Sequence, residues 1–212
     1  MSSSASRPPS PPSPKPRPGP LGVLDSFIGP DATAAELFVQ FVPTVCFALV
    51  LSYRAFQASF LHSGLRAVVF VLLAIDLPGG VLTNSTRASK RWYHRQGRSA
   101  AHHLLFVLPH TLHILAVALL FRAYDWTFFA TASLSLLFGA ALVLSVPLYL
   151  KNVVGMLVVL VAVFEDLYVW KPTPFLEWFV PLLFLKICVA HLVPEQTTVP
   201  SQQSEAAIPL LS

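Results

Sequence analysis

The feature that most constrains this chain is a succession of six apolar runs, at residues 34–53, 65–82, 102–121, 126–150, 153–170 and 175–192, with little polar sequence between them. An α-helix rises about 1.5 Å per residue, so runs of about 18–25 residues match a hydrocarbon core about 30 Å thick. The soluble alternative is a set of buried helices wrapped by amphipathic ones, and the middle of the chain has no long amphipathic helix to do the wrapping. Charged residues make up 11% of the 212 residues, against roughly 25% in a soluble domain. The predicted fold is therefore all-α: a polytopic transmembrane helix bundle of about six spans, with membrane lipid as solvent and partner.

The length suits one membrane domain, residues 34–193, with a tail at each end. Residues 1–33 read as a Pro/Ser-rich disordered tail and lead-in. Met1 to Pro20 contains Arg7, Lys15 and Arg17 but no apolar core, which argues against a signal peptide and for a polyproline-prone segment. Residues 194–212 read as a second disordered tail, without a CaaX box or KDEL-type signal. Cys46 and Cys188 lie within apolar runs with no CxxC spacing, so they read as small packing residues.

Lys and Arg set the expected orientation. Arg87, Lys90, Arg91, Arg95 and Arg98 lie between the second and third runs, which places that loop in the cytoplasm. An even number of spans then puts the N- and C-termini and Lys151 on the same side. The net charge of +4 is modest and implies no nucleic-acid partner. The basic loop reads as a topological anchor against anionic lipid, with Arg87, Lys90 and Arg91 also suited to an anionic head group. Trp92 and Tyr93 read as interfacial anchors. Asn84-Ser85-Thr86 fits the glycosylation pattern, but beside this cluster Asn84 is better read as a polar contact for a substrate.

Chemistry is expected from ionisable residues inside the runs. Asp76 follows nine apolar residues, where a carboxylate costs about 2.5–3.5 kcal/mol and needs a protein partner or water. Leu77-Pro78-Gly79-Gly80 follows at once. Proline removes a donor and the glycines permit unwinding or close helix contact, so a broken helix with an acid and a substrate at the break is expected. The plainer alternative is a kink capped by Asp76. His103, His110 and His113 fall on one face of the third span. A metal would need further ligands with their own supporting bonds; none is visible, and no metal or cofactor is predicted.

Counting rise per residue, Asp76, His110, His113 and Lys186 lie about 13, 12, 16 and 12 Å from the cytoplasmic side. An acid, two bases and an ammonium thus share one layer, as a site or as a buried ion pair that orders the bundle. Glu165 is placed at the opposite mouth of the same cavity, or else simply ends its helix with Asp166. No HxxxH set, Walker A motif or Ser-His-Asp pattern is present. The expected function is a small membrane enzyme acting on a lipophilic small molecule by acid–base chemistry. The alternatives are a proton-coupled transporter or channel, for which a homodimer would supply a missing half, and a scaffold in which the polar layer is structural.

Overall fold

A bilayer offers the backbone no hydrogen-bond partner, so each apolar run must satisfy its own amides, and a helix does this locally. The computed structural model describes residues 15–195, and all regular structure among them is helical. In chain order the helices are α1 (Pro20–Ile28), α2 (Ala34–Gln57), α3 (Gly64–Ser85), α4 (Arg87–Tyr93), α5 (Ala100–Val107), α6 (Thr111–Leu120), α7 (Trp126–Ser145), α8 (Leu148–Phe164) and α9 (Phe179–Phe184). A 3-10 turn, Leu108–His110, joins α5 to α6 in one span, and α8 and α9 continue into π-helical turns at Glu165–Trp170 and Leu185–His191. Five of these units are long and apolar enough to cross a membrane: α2, α3, α5–α6, α7, and α8 with its π turn. The chain is a multi-pass membrane bundle.

The sixth run is shorter than expected. Residues 175–178 form turns, held by the Glu177 side chain on the Phe175 amide and by the Trp178 indole on the Phe175 carbonyl. Helix begins only at Phe179, with Pro181 in its first turn, where a missing N–H costs nothing. Phe179–His191 is mostly buried between α3, α7 and α8, with no residue exposed. A helix surrounded by protein need not span the full hydrocarbon thickness, because its ends meet protein rather than lipid.

Close approach of this inner segment depends on Gly155 of α8. A Cβ there would stand 2.6 Å from the Cys188 carbonyl oxygen, a backbone atom that cannot swing aside. Gly155→Ala is expected to cost about 1–3 kcal/mol through overpacking, read as a lower unfolding midpoint in a fixed detergent.

The expectation for the N-terminal lead-in differs from the fold. Of residues 1–33, the segment Pro20–Ile28 is helical; Pro20 suits the first turn, and Arg17 closes the base of the helix by bonding Asp25 through its amide and guanidinium. The last carbonyls of α1 are met by α4: the Trp92 indole and Tyr93 hydroxyl donate to Ser26, and Tyr93 also to Phe27. These two aromatics therefore fasten α1. Residues 1–14 and 196–212, the outer parts of the expected tails, lie outside the described residues.

Candidate functional site

Asp76 sits on α3, facing the inner helix. Its Oδ2 accepts from Lys186 Nζ at 2.6 Å and from His113 Nε2 at 3.0 Å. Three of the four residues placed at one depth by their spacing thus meet at a single oxygen. Lys186 is the buried member, with its side chain 5% exposed; Asp76 keeps 42% of its side chain open. Both bonds go to Oδ2, so Oδ1 remains the outward oxygen of the carboxylate.

His110, the fourth, does not touch Asp76. It lies in the 3-10 turn that Pro109 enforces, and its ring stacks on His113 with centroids 5.1 Å apart and planes at 11°. A 3-10 turn shifts the backbone bonding by one residue, and His110 Nδ1 pairs with the Phe106 carbonyl at 2.9 Å. A carbonyl can only accept, so the proton is on Nδ1 and the neutral ring carries its lone pair on Nε2.

The expected helix break at Pro78 is absent. Helix α3 runs unbroken from Gly64 to Ser85, and the two glycines serve close contact instead. A Cβ on Gly79 would come 3.0 Å from the Thr44 methyl of α2, and one on Gly80 would come 2.3 Å from Lys186 Cε. Gly80 is the groove along which the lysine stem reaches Asp76.

Asp76, Gly79, Gly80, His110 and Lys186, but not His113, line a cavity of about 500 Å³ between α1, α2, α3 and α5. Asp76, Lys186, His110, Gln40, Thr44, Thr83 and Tyr93 bring polar groups to its lining, while Leu24, Phe27, Phe41, Ile75 and Phe106 make the walls apolar. Such a mix, apolar walls with a few convergent polar groups, characterises small-molecule sites of roughly 300–1,000 Å³. At the opposite end of the bundle, Phe60, Phe70, Phe121, Phe175 and Trp178 pack ring to ring.

Other expected site residues lie elsewhere. Glu165 accepts from the Ser135 hydroxyl at 2.7 and 2.9 Å and borders a separate cavity of about 130 Å³ between α7 and α8, not the Asp76 cavity. Asn84 is buried in α3 outside the lining of the Asp76 cavity. Lys90, half-buried, donates its ammonium to the carbonyls of Val189 at 3.4 Å, Ala190 at 2.8 Å and Val193, closing the inner helix. Burial pushes Lys90 down to about 8, against the pull of Glu195, so it stays protonated at neutral pH. Arg87 is exposed and pairs with Glu195 at 2.8 Å. Arg91 is exposed beside it, and the two border a surface hollow with Glu36. No group of three or more His, Cys, Asp or Glu suited to a metal ion occurs among the described residues.

Comparison with protein-family models, with curated proteins and with solved structures finds no match to this chain. The site must be read from its own chemistry. Sequence reasoning missed Gln40, although a lone amide inside Leu-Phe-Val-Gln-Phe-Val is a visible signal. It also missed His94, and it took His191 only for an interfacial residue; both join His103 at the basic end, with His103 Nδ1 and His191 Nε2 3.2 Å apart.

Proposed function

We propose that this protein is a small integral membrane enzyme that performs acid–base chemistry on a lipophilic substrate held in the Asp76 cavity. One observation carries the reading: a half-open carboxylate, paired on one oxygen with a buried lysine, shares an apolar-walled cavity with an imidazole whose basic nitrogen is fixed by its tautomer. Lys186 and His113 hold Asp76 in place and hold its charge. His110 Nε2 accepts a proton from the substrate, and Asp76 stabilises the positive charge that His110 gains. The apolar walls accept a substrate from the lipid phase and keep bulk water from the reacting atoms. The ring-to-ring packing of five aromatics across the other end of the bundle favours this over a transport path, which needs a second mouth.

The test is turnover by purified protein in nanodiscs incubated with a total lipid extract, followed by mass spectrometry. A product mass is expected with the wild-type chain. With Asp76→Asn the rate of its formation is expected to fall by about 10²–10⁴-fold, the protein still folding as judged by its unfolding midpoint. Equal conversion by a folded Asp76→Asn protein overturns the mechanism.

A further inference from the structure

We infer that α1 is an interfacial helix, lying at the head-group level of the leaflet on the basic side, and that it forms the sill of a mouth through which the Asp76 cavity opens sideways into lipid. The partner of its outer face is the bilayer itself. This holds whatever chemistry the cavity performs.

Helix α1 turns large apolar side chains outward. Val23 and Phe27, one turn apart, are 62% and 67% exposed, and Leu21 is half exposed, while Gly22, Asp25 and Ile28 are buried. The polar groups of the helix are spent on protein. The Ser26 hydroxyl donates to the Gly22 carbonyl at 2.8 Å. Asp25 is closed off by the Arg17 amide and guanidinium. At the C-terminal end the Gly29 amide donates to the Asp25 carbonyl at 2.9 Å, and the Ser26 and Phe27 carbonyls accept from Trp92 and Tyr93. A helix bound for water can leave its end carbonyls to water; one bound for lipid has to meet them with protein. The end of α1 is also pressed against α4, where a Cβ on Gly29 would stand 2.3 Å from the Ala88 carbonyl oxygen.

The level of α1 follows from what it touches. It is fastened to α4, which begins at Arg87, just past the end of the α3 span at Ser85. Leu24 and Phe27 line the same cavity as Phe41, which stands about 10 Å inside the α2 span. An interfacial helix buries its apolar face about 5–10 Å into the boundary between head groups and acyl chains, and α1 lies between those two landmarks. Further into the membrane the cavity meets lipid. On α2, Phe41 belongs to an outward row with Phe38 and Val45; on α3, Ile75 continues outward from Leu72. Phe38, Val45 and Leu72 are more than half exposed and lie outside the cavity lining, on the lipid-facing sides of their spans. Phe41 and Ile75, each 46% exposed, belong both to these rows and to the lining. They are the sides of the mouth, and Phe27 is its lower edge. The outer face of α1 thereby adjoins the lipid-covered face of α2.

Photolabelling of the unmodified full chain tests this. Phosphatidylcholine nanodiscs carry a trace of the same lipid with a diazirine either next to the glycerol ester or at the far end of an acyl chain, and labelled residues are mapped by mass spectrometry. The shallow probe is expected to label residues 21–27 about tenfold more than the deep probe does, and the deep probe to label Phe41 and Ile75. Val23→Glu alters an exposed residue outside the cavity lining. It is expected to cut the shallow label on α1 about tenfold by drawing the outer face out of lipid, while label at Phe41 and Ile75 persists. No lipid label on α1 overturns the interfacial placement and shows that water, the chain's own ends or a second copy covers that face. Equal label from the two probes, or unchanged α1 label in the Val23→Glu protein, overturns it as well. Unlabelled Phe41 and Ile75 overturn the sideways mouth. If Val23→Glu releases α1 from the bundle, the wild-type pattern decides alone.

Discussion

Lys186→Met is expected to lower stability by about 3–5 kcal/mol. The lysine ammonium is almost wholly enclosed and gives its shortest bond to Asp76 Oδ2. Methionine fills much of the same volume along Gly80, so packing is largely kept and the loss is electrostatic. What remains is a carboxylate inside a membrane span with only the His113 imidazole to answer it. Removing one partner of a buried pair costs far more than removing both. The double variant Asp76→Asn with Lys186→Met is therefore expected to recover most of the lost stability, measured as unfolding midpoints in one detergent. The double variant also separates the two roles of the pair. If it folds well and turns over no substrate, the charges are there for chemistry; if it folds well and keeps turnover, the pair only orders the helices. A single Lys186→Met protein as stable as wild type would show that Asp76 does not depend on this lysine.

The meeting of Asp76 with Lys186, 110 residues apart, was legible because depth in a membrane is a linear count along a helix. Depth says nothing about rotation about the helix axis. Whether His110 or His113 faces Asp76 depends on the 3-10 turn at Pro109, which shifts the angular position of everything after it; His113 took the carboxylate and His110 the cavity. The Pro78-Gly79-Gly80 segment was read as a break because those residues break helices in water. In a packed bundle neighbouring helices compensate for a proline, and the glycines instead make room for Thr44 and for the Lys186 stem. The last helix is shorter than its apolar run because residues 175–178 form turns held by Glu177 and Trp178, which hydropathy does not register. Lys90 was read by its charge; its three carbonyl partners belong to a helix end about a hundred residues further on and leave no local trace. Six-run bookkeeping thus gave the class and the layer of the site, while the assignment of roles inside the layer needed the packing.

The second large effect is expected at His110, and the choice of substitution decides what it teaches. His110→Phe would remove the ring nitrogens and also orphan the Phe106 carbonyl, so a loss of activity would have two explanations. Asparagine can still donate one amide proton toward Phe106, and its neutral amide has no basic nitrogen near physiological pH. His110→Asn is therefore expected to keep the 3-10 turn and lower the unfolding midpoint only slightly, while turnover falls about 10²–10⁴-fold, the range of a lost general base. The loss should appear in kcat more than in KM, because the base acts on a proton in flight and not on the resting lipid. Full turnover by a folded His110→Asn protein would remove His110 as the base. Its partner His113 could not take over the task from its present position, because His113 Nε2 already donates to Asp76 and its Nδ1 is buried without access to the cavity. The base would then have to be Asp76 itself, acting through Oδ1, and the Asp76→Asn and His110→Asn pair of measurements distinguishes the two.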